Sequence, residues 1–187
     1  FAYLHAHFPR FRATKALYDR THTGVTRGAV VLDVGAHWLH QALLWSDDGW
    51  RVVAADMPAT LALPKVQAVA KENGIELAVY ERLDSGNAVA SIADNSVNVV
   101  LFTEILEHIT FNPVAVWTEV YRVLAPLGRI VVTTPNYYWA RGRAWDARRF
   151  SSRGGGGLPV DEILRVPTYG PHWKEYAMRE VIRYFQM

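Results

Sequence analysis

The chain has 187 residues, half of them apolar and a fifth charged, which suffices for one domain with a sizeable core. The absence of cysteine excludes disulfides and thiolate metal ligands, and no apolar run approaches the length of a membrane-spanning helix. A net charge of only +2 makes nucleic acid the less favoured partner without excluding it. Since no leader is visible, a cytoplasmic location is expected. The start at Phe1 instead of Met indicates a processed, trimmed or partial chain.

Short apolar runs alternate along the chain with segments of helical periodicity. The runs are nearly continuous in Val, Ile, Leu and Ala, which is typical of strands covered on both faces. The predicted strands are Val30–Val34, Arg51–Ala55, Ile75–Glu81, Val97–Thr103 and Arg129–Thr134. The predicted helices are Arg10–Arg20, Leu39–Ser46, Pro64–Glu72, Pro113–Leu124 and Glu175–Phe185. This alternation predicts an α/β fold with a doubly wound parallel sheet and right-handed crossovers.

The pattern divides a single domain into four segments. Residues 1–28 are predicted to form a helical cover, and residues 29–136 the core. Residues 137–171 break the alternation and include four consecutive glycines, which favours either a substrate loop or lid or an ordinary surface loop. Residues 172–187 are predicted to form a C-terminal helix.

The helix predicted from Pro113 has a clear start signal, because Asn112 is a good N-cap and proline suits the first helical position. Its apolar residues recur at helical spacing and predict core packing. They are Val116, Trp117, Val120, Tyr121 and Leu124.

The irregular segment is rich in arginines interleaved with aromatic residues. Such a mixture can bind phosphate and stack on rings, which suits an anionic substrate, and a solvated basic loop is the alternative interpretation. The residues are Arg141, Arg143, Arg148, Arg149 and Arg153 among Tyr137, Tyr138, Trp139 and Trp145.

Acidic residues lie at the ends of the first two predicted strands. Asp33 and Gly35 end the first, and Asp56 ends the second. In nucleotide-binding folds, a glycine after the first strand permits a close turn and an acid at the second strand tip receives ribose hydroxyls. The stretch after Gly35 does not supply the remaining glycines of a dinucleotide fingerprint, so NAD binding is poorly supported.

The fourth predicted strand ends in Glu104, Glu107 and His108, at positions i, i+3 and i+4. On a helix these three side chains would share one face, beyond the carboxyl end of a buried strand, where open α/β sheets bind ligands. The pattern favours a metal site or an acid–base site. Two alternatives remain open, namely carboxylates that only favour a helix dipole and a histidine that only packs or acts as a metal-free base.

The order of these motifs resembles that of the class I S-adenosylmethionine-dependent methyltransferases. VLDVG resembles their first motif and VVAADMP their second-strand motif, while NSVNVVLFTEILEHI resembles the fourth-strand motif. YRVLAPLGRIVVTTPN resembles the turn into the fifth strand, and HWKEY resembles the opening of a later helix. The resemblance implies a Rossmann-like sheet of order 3-2-1-4-5. It also implies that the sixth and seventh strands are missing, since the chain ends at Met187.

The resemblance implies S-adenosylmethionine as cofactor and assigns residues to it. Asp33 and Gly35 would lie along its methionine end, Asp56 would bind the ribose and Met57 would pack on the adenine. Asp84 would face the adenine amine, and Phe102 and Thr103 would line the pocket near the sulfonium. Three residues replace glycines usual in the family, namely His37, Leu39 and Leu127, and His37 could contact the carboxylate of the cofactor.

The Glu-x-x-Glu-His pattern further resembles two metal-dependent O-methyltransferase groups, which act on quinone-precursor phenols and on the 2′-hydroxyl at small-RNA 3′ ends. In the RNA group a later histidine completes the site, and His172 is the candidate here. The implied metal ligands are Glu104, Glu107, His108 and His172, and the implied catalytic residues are His108 and Glu104. Two imidazoles favour Mn, Fe, Co or Zn over Mg.

The function expected from these motifs is methylation of a hydroxyl oxygen on a small-molecule or glycan acceptor. The alternatives are an RNA 2′-O-methyltransferase-like enzyme and a degenerate methyltransferase fold that acts as a binding module. The acceptor and the oligomeric state are not determined by the sequence.

Overall fold

The computed structural model describes residues 2–22, 28–86, 89–136 and 172–186. The chain forms two compact units, the first made of Phe1–Thr103 and Asn112–Val131, and the second of Glu104–Phe111 and Val132–Met187. The predicted substrate loop at 137–171, with its arginines and aromatic residues, lies outside the described residues.

The first unit is built on a five-stranded sheet of order β3-β2-β1-β4-β5, so the predicted order is confirmed. β1 pairs in parallel with β2 and β4, and β2 pairs in parallel with β3. The central strands are nearly all buried, as their continuous apolar sequences predict. The strands are β1 Val30–Val34, β2 Arg51–Asp56, β3 Glu76–Val79, β4 Val97–Thr103 and β5 Leu124–Thr133.

Six α-helices accompany these strands in the described residues: α1 Ala2–Thr21, α2 His40–Asp47, α3 Pro58–Leu61, α4 Pro64–Glu72, α5 Val114–Val123 and α6 Met178–Tyr184. Two short 3₁₀ turns are also present, at Leu83–Ser85 and Leu106–His108. The first helix begins eight residues before the predicted Arg10, because Pro9 lies inside it and does not mark its start.

The start and the buried face of α5 both differ from prediction. The helix begins at Val114, and the side chain of Asn112 accepts the Val114 N–H at 3.1 Å. Its buried face ends in Val123, whereas Tyr121 is 82% exposed. At 3.6 residues per turn, Tyr121 lies about 140° around the axis from Val116, which explains why its assignment to the core was wrong.

The largest buried side chain in the first unit is that of Trp45 on α2. Its ring centroid lies 5.1 Å from that of Trp50 and 4.9 Å from that of Tyr18 on α1. The ammonium of Lys15 lies 5.0 Å from the Trp45 ring and pairs with Asp48. These contacts fix α1 to α2 beside the sheet.

A pair of substitutions at the start of β5 should change stability in opposite directions. Leu127 has a φ of 65° and is 96% exposed, so Leu127→Gly relieves left-handed strain without losing packing and should stabilise the fold by about 1 kcal/mol.

A Cβ added at Gly128 would lie 2.7 Å from the Ala125 carbonyl oxygen, so Gly128→Ala should destabilise the fold by about 1–3 kcal/mol. Urea unfolding of both variants measures this, and a less stable Leu127→Gly variant would contradict the argument from strain.

Candidate functional site

The carboxylate of Asp56 is held at the end of β2 by two backbone N–H groups. Oδ2 accepts the N–H of His37 at 2.7 Å, and Oδ1 accepts the N–H of Met57 at 2.6 Å. Gly35, with a φ of 69°, turns the chain after β1, and its N–H bonds to the Ala55 carbonyl at 2.8 Å. The acid is therefore fixed in orientation, and each of its oxygens retains a lone pair for a ligand hydroxyl.

The loop from Gly35 keeps glycine-like backbone angles although it carries side chains. His37 and Leu39 have φ values of 49° and 65°. The side chain of Leu39 is fully buried in the core, and the ring of His37 stacks on Trp38 at 4.2 Å and meets Tyr3 at 5.6 Å. The two replacements of glycine thus leave the turn intact and direct the Leu39 side chain into the core.

Asp33 is the most completely buried acid of this region. It is 1% exposed, Ala42 donates a backbone hydrogen bond to it, and Oδ2 has no hydrogen-bond partner among the described residues. Burial, together with the negative charge of Asp56, raises the pKa of Asp33 to about 8. Burial, and then the negative charges of Asp56 and Asp33, raise the pKa of Tyr80. Because a nearby positive charge favours the carboxylate form of a buried acid, Asp33 is suited to a cationic ligand group.

The other residues assigned to the cofactor have mixed surroundings. Met57 is half-buried as the N-cap of α3, and Thr103 is half-buried at the end of β4. The carboxylate of Asp84 accepts two hydrogen bonds from Arg82, which lowers the pKa of Asp84. Phe102 is fully buried with its ring 4.7 Å from that of Trp117, which gives it a packing role instead of a place on a pocket surface.

These residues fit an adenosyl amino-acid cofactor. The fixed carboxylate of Asp56 suits the two hydroxyls of a ribose, and the buried oxygen of Asp33 without a protein partner suits an ammonium group. Both residues belong to the first unit and lie near the carboxyl ends of neighbouring strands of one sheet. The assignments of Asp33, Gly35 and Asp56 to the cofactor stay predictions.

The second unit brings Glu107, His108 and His172 together. One ligand atom from each lies within 4.8 Å of the others, and the two imidazole centroids are 4.9 Å apart. Glu107 is fully buried, and its Oε2 accepts the Thr134 hydroxyl at 3.0 Å. Its carbonyl also accepts the N–H of Trp173 at 2.8 Å, which fixes the segment that carries His172.

Glu104 does not belong to this group, so its assignment as a ligand on a shared helical face was wrong. Its φ is 58°, its N–H bonds to the Thr133 carbonyl at 2.8 Å, and its Oε1 accepts the Thr133 hydroxyl at 2.9 Å. The predicted helix is a single 3₁₀ turn over Leu106–His108. Because the left-handed residue precedes this turn, the i, i+3, i+4 relation does not place Glu104 with Glu107 and His108.

Glu175 contacts this group, although the sequence did not single it out. It is buried, and its Oε1 lies 3.1 Å from Nδ1 of His172. This contact orients the imidazole and leaves Nε2 as the ring nitrogen available to a ligand. The sequence signal for this contact was a glutamate three residues after His172. Glu175 was instead assigned to the predicted C-terminal helix, which begins only at Met178.

The side chains of Glu107, His108 and His172 could either hold a metal ion or accept a proton. Two imidazoles and one carboxylate match the ligand types of Zn, Mn and Fe sites, and a carboxylate behind a ligating histidine is the usual outer support of such a site. Without a cation, the same imidazoles can accept a proton from a hydroxyl.

None of the helices in residues 2–22, 28–86, 89–136 and 172–186 has the length and apolarity needed to cross a membrane.

A family model described as "Methyltransferase domain" matches residues 32–132. No curated protein matches the chain. Solved structures do match it, among them a protein of Pyrococcus horikoshii, with 23% identity, a TM-score of 0.55 and coverage of 70% of this chain and 55% of the other. A SAM-dependent methyltransferase from Aquifex aeolicus is 16% identical with a TM-score of 0.60, covering 92% of this chain and 77% of the other.

A third similar structure is phosphoethanolamine N-methyltransferase 2 of Haemonchus contortus, solved with phosphomonomethylethanolamine and S-adenosylhomocysteine. It is 18% identical with a TM-score of 0.62, and the match covers 92% of this chain but only 35% of that enzyme. At these identities the solved structures support the Rossmann-like fold. Because the family model matches more than half of the sequence, the chain belongs to the methyltransferase domain family.

Proposed function

We propose that this chain transfers the methyl group of S-adenosylmethionine to a hydroxyl oxygen of a small-molecule or glycan acceptor. The observation that carries the proposal is the pair of acids at neighbouring strand ends, within the segment that the family model matches. Asp56 is fixed by two backbone N–H groups, and Asp33 presents a buried oxygen with no described protein partner.

The cofactor, when bound, supplies an electrophilic methyl group on a sulfonium. The task left to the protein is to align a nucleophile and to remove its proton. In the proposal Asp56 binds the ribose hydroxyls, Asp33 binds the amine, and Met57 packs on the adenine. His37 contacts the carboxylate of the cofactor, and Gly35 leaves room for its methionine end.

The acceptor is assigned to oxygen because a hydroxyl does not lose its proton readily, and the second unit offers a group that can assist. His108 acts as the general base, and Glu175 holds His172 in orientation. Glu104 fixes the turn through Thr133 and does not itself take part in the proton transfer.

A specific observation favours a metal-assisted form of the same function. Glu107, His108 and His172 each offer a ligand atom within 4.8 Å of the others. A divalent cation held there lowers the pKa of a bound hydroxyl. The ligand types favour Zn, Mn or Fe, with Mg less suited to two imidazoles.

The proposal includes an anionic acceptor. The arginine-rich sequence at 137–171 suits an acceptor such as a phosphorylated sugar. An RNA 2′-hydroxyl is the alternative acceptor, and a binding module without activity is the alternative function. A cytoplasmic location remains part of the proposal.

Calorimetry with S-adenosylmethionine, followed by a labelled-methyl assay over sugar, phenol and RNA acceptors, tests the function. The wild type should bind the cofactor, and Asp56→Ala should bind about 10- to 100-fold more weakly because hydrogen bonds to a charged group are lost. Asp47→Ala, an exposed acid at the end of α2, is the matched control and should bind as the wild type does. Absence of binding by the wild type would refute the proposal. Binding without transfer to any acceptor would favour the binding module.

A further inference from the structure

We propose that Asp33 is a neutral carboxylic acid in the cofactor-free protein and a carboxylate in the complex, so that cofactor binding releases a proton to solvent. The inference rests on the proposed function, because the ligand is the ammonium group of the cofactor. It adds a linkage between cofactor affinity and pH.

The position of Asp33 denies it the solvation that a carboxylate requires. It lies on β1 opposite Ala54 of β2 and Leu101 of β4, and it is 1% exposed. The described protein offers it one hydrogen bond, from the backbone of Ala42, and none to Oδ2. A buried carboxylate with one donor is strongly disfavoured against the neutral acid.

The neighbouring titratable groups also favour the neutral form. Asp56 at the end of β2 is a like charge and raises the pKa of Asp33. Tyr80 after β3 is buried beside both acids and is itself harder to ionise for that reason. His37 faces Asp56 from the loop after β1, and its burial lowers its pKa, so it adds no fixed positive charge. Among the described cations, none lowers the pKa of Asp33.

A bound ammonium reverses this balance. Its N–H groups can donate to Oδ2, the oxygen that the described protein leaves without a donor, and its charge favours the carboxylate. In the step the O–H bond of Asp33 breaks, the proton goes to solvent, and a charge-assisted N–H···O hydrogen bond forms. No electron is transferred, and the ligand amine is already protonated near neutral pH.

Calorimetry with S-adenosylhomocysteine, which carries the same amine, counts the proton. Titrations in two buffers of different ionisation enthalpy should give release of about 0.9 proton at pH 7, from a group with a pKa near 8. The association constant should rise about tenfold per pH unit below pH 8 and then level off.

Asp33→Asn separates this linkage from other proton sources. Asparagine matches the shape of the neutral acid, so the variant should fold, release no proton from this position and bind with an affinity almost independent of pH. Asp47→Asn, the same chemical change at an exposed acid, should keep the wild-type slope. Saturable wild-type binding without proton release would overturn this inference and leave the proposed function standing. Absence of binding at every pH would overturn both.

A readout on the cofactor-free protein does not depend on binding. The folded state keeps the Asp33 proton up to about pH 8, whereas the unfolded chain loses it near 3.8, so the folded state holds more protons between these values. The contribution of Asp33 to stability is therefore complete below pH 3.8 and is lost as the pH rises through 8. Thermal unfolding should show Asp33→Asn gaining stability on the wild type as the pH rises from 5 to 9. Parallel curves for the two proteins would contradict a neutral Asp33.

Discussion

His108→Gln is expected to lower kcat by about 10²- to 10⁴-fold, the usual contribution of a positioned general acid or base. The ring of His108 lies against that of His172, which Glu175 holds by a 3.1 Å contact, so glutamine removes the titrating group from a fixed arrangement. The affinity for S-adenosylmethionine should not change, because the substitution alters none of the proposed cofactor residues. Steady-state assays with the best acceptor, together with cofactor calorimetry, measure the two effects separately.

A control and a chelator sharpen this experiment. His5→Gln changes an exposed histidine on α1 in the same way and should retain wild-type kcat. If a cation is involved, chelation should abolish activity, Zn or Mn should restore it, and His172→Gln should weaken metal binding. If His108 acts alone, chelation should have no effect and the pH profile should lose its acidic limb in His108→Gln. Full activity in His108→Gln would remove the residue from the mechanism.

Trp45→Ala is expected to destabilise the protein by about 3–5 kcal/mol, the usual cost of truncating a fully buried aromatic residue. The substitution removes contacts with Trp50 and Tyr18 and the ring beneath the Lys15 ammonium. Alanine would leave a cavity between α1, α2 and the sheet.

Urea unfolding followed by circular dichroism measures this loss. Tyr121→Ala is the matched control, since that side chain is 82% exposed and its removal should change stability by less than about 0.5 kcal/mol. Equal stability of Trp45→Ala and the wild type would show that α1 and α2 pack differently.

The parts of the fold that followed from sequence are those determined by continuous apolar patterns. The bounds of β1 and β4 agree with prediction because buried parallel strands require unbroken apolar residues and end where polar residues begin. The start of β5 was placed five residues late, because Pro126 and Gly128 favour a turn in isolation, whereas the structure continues the strand through them. The turn propensity of a residue is a local property, whereas the course of an edge strand depends on the strand beside it.

Part of the candidate site was also predictable from the sequence. Asp33 and Asp56 follow from their places at strand ends, and His172 was expected to join Glu107 and His108. Glu104 was misassigned because a positive φ in a residue other than glycine has no sequence signature at that position.

The left-handed backbone of His37 and Leu39 has a consequence for recognition. A turn built on glycines samples many conformations before a ligand arrives and must give them up when it binds. Here side chains restrict the same turn, and Leu39 anchors it in the core, so its order is established when the protein folds. The hydrogen bond from the His37 N–H to Asp56 is therefore already formed before a ligand binds. The native chain tolerates the backbone strain of the turn, and less conformational entropy is lost on binding because the turn is already ordered.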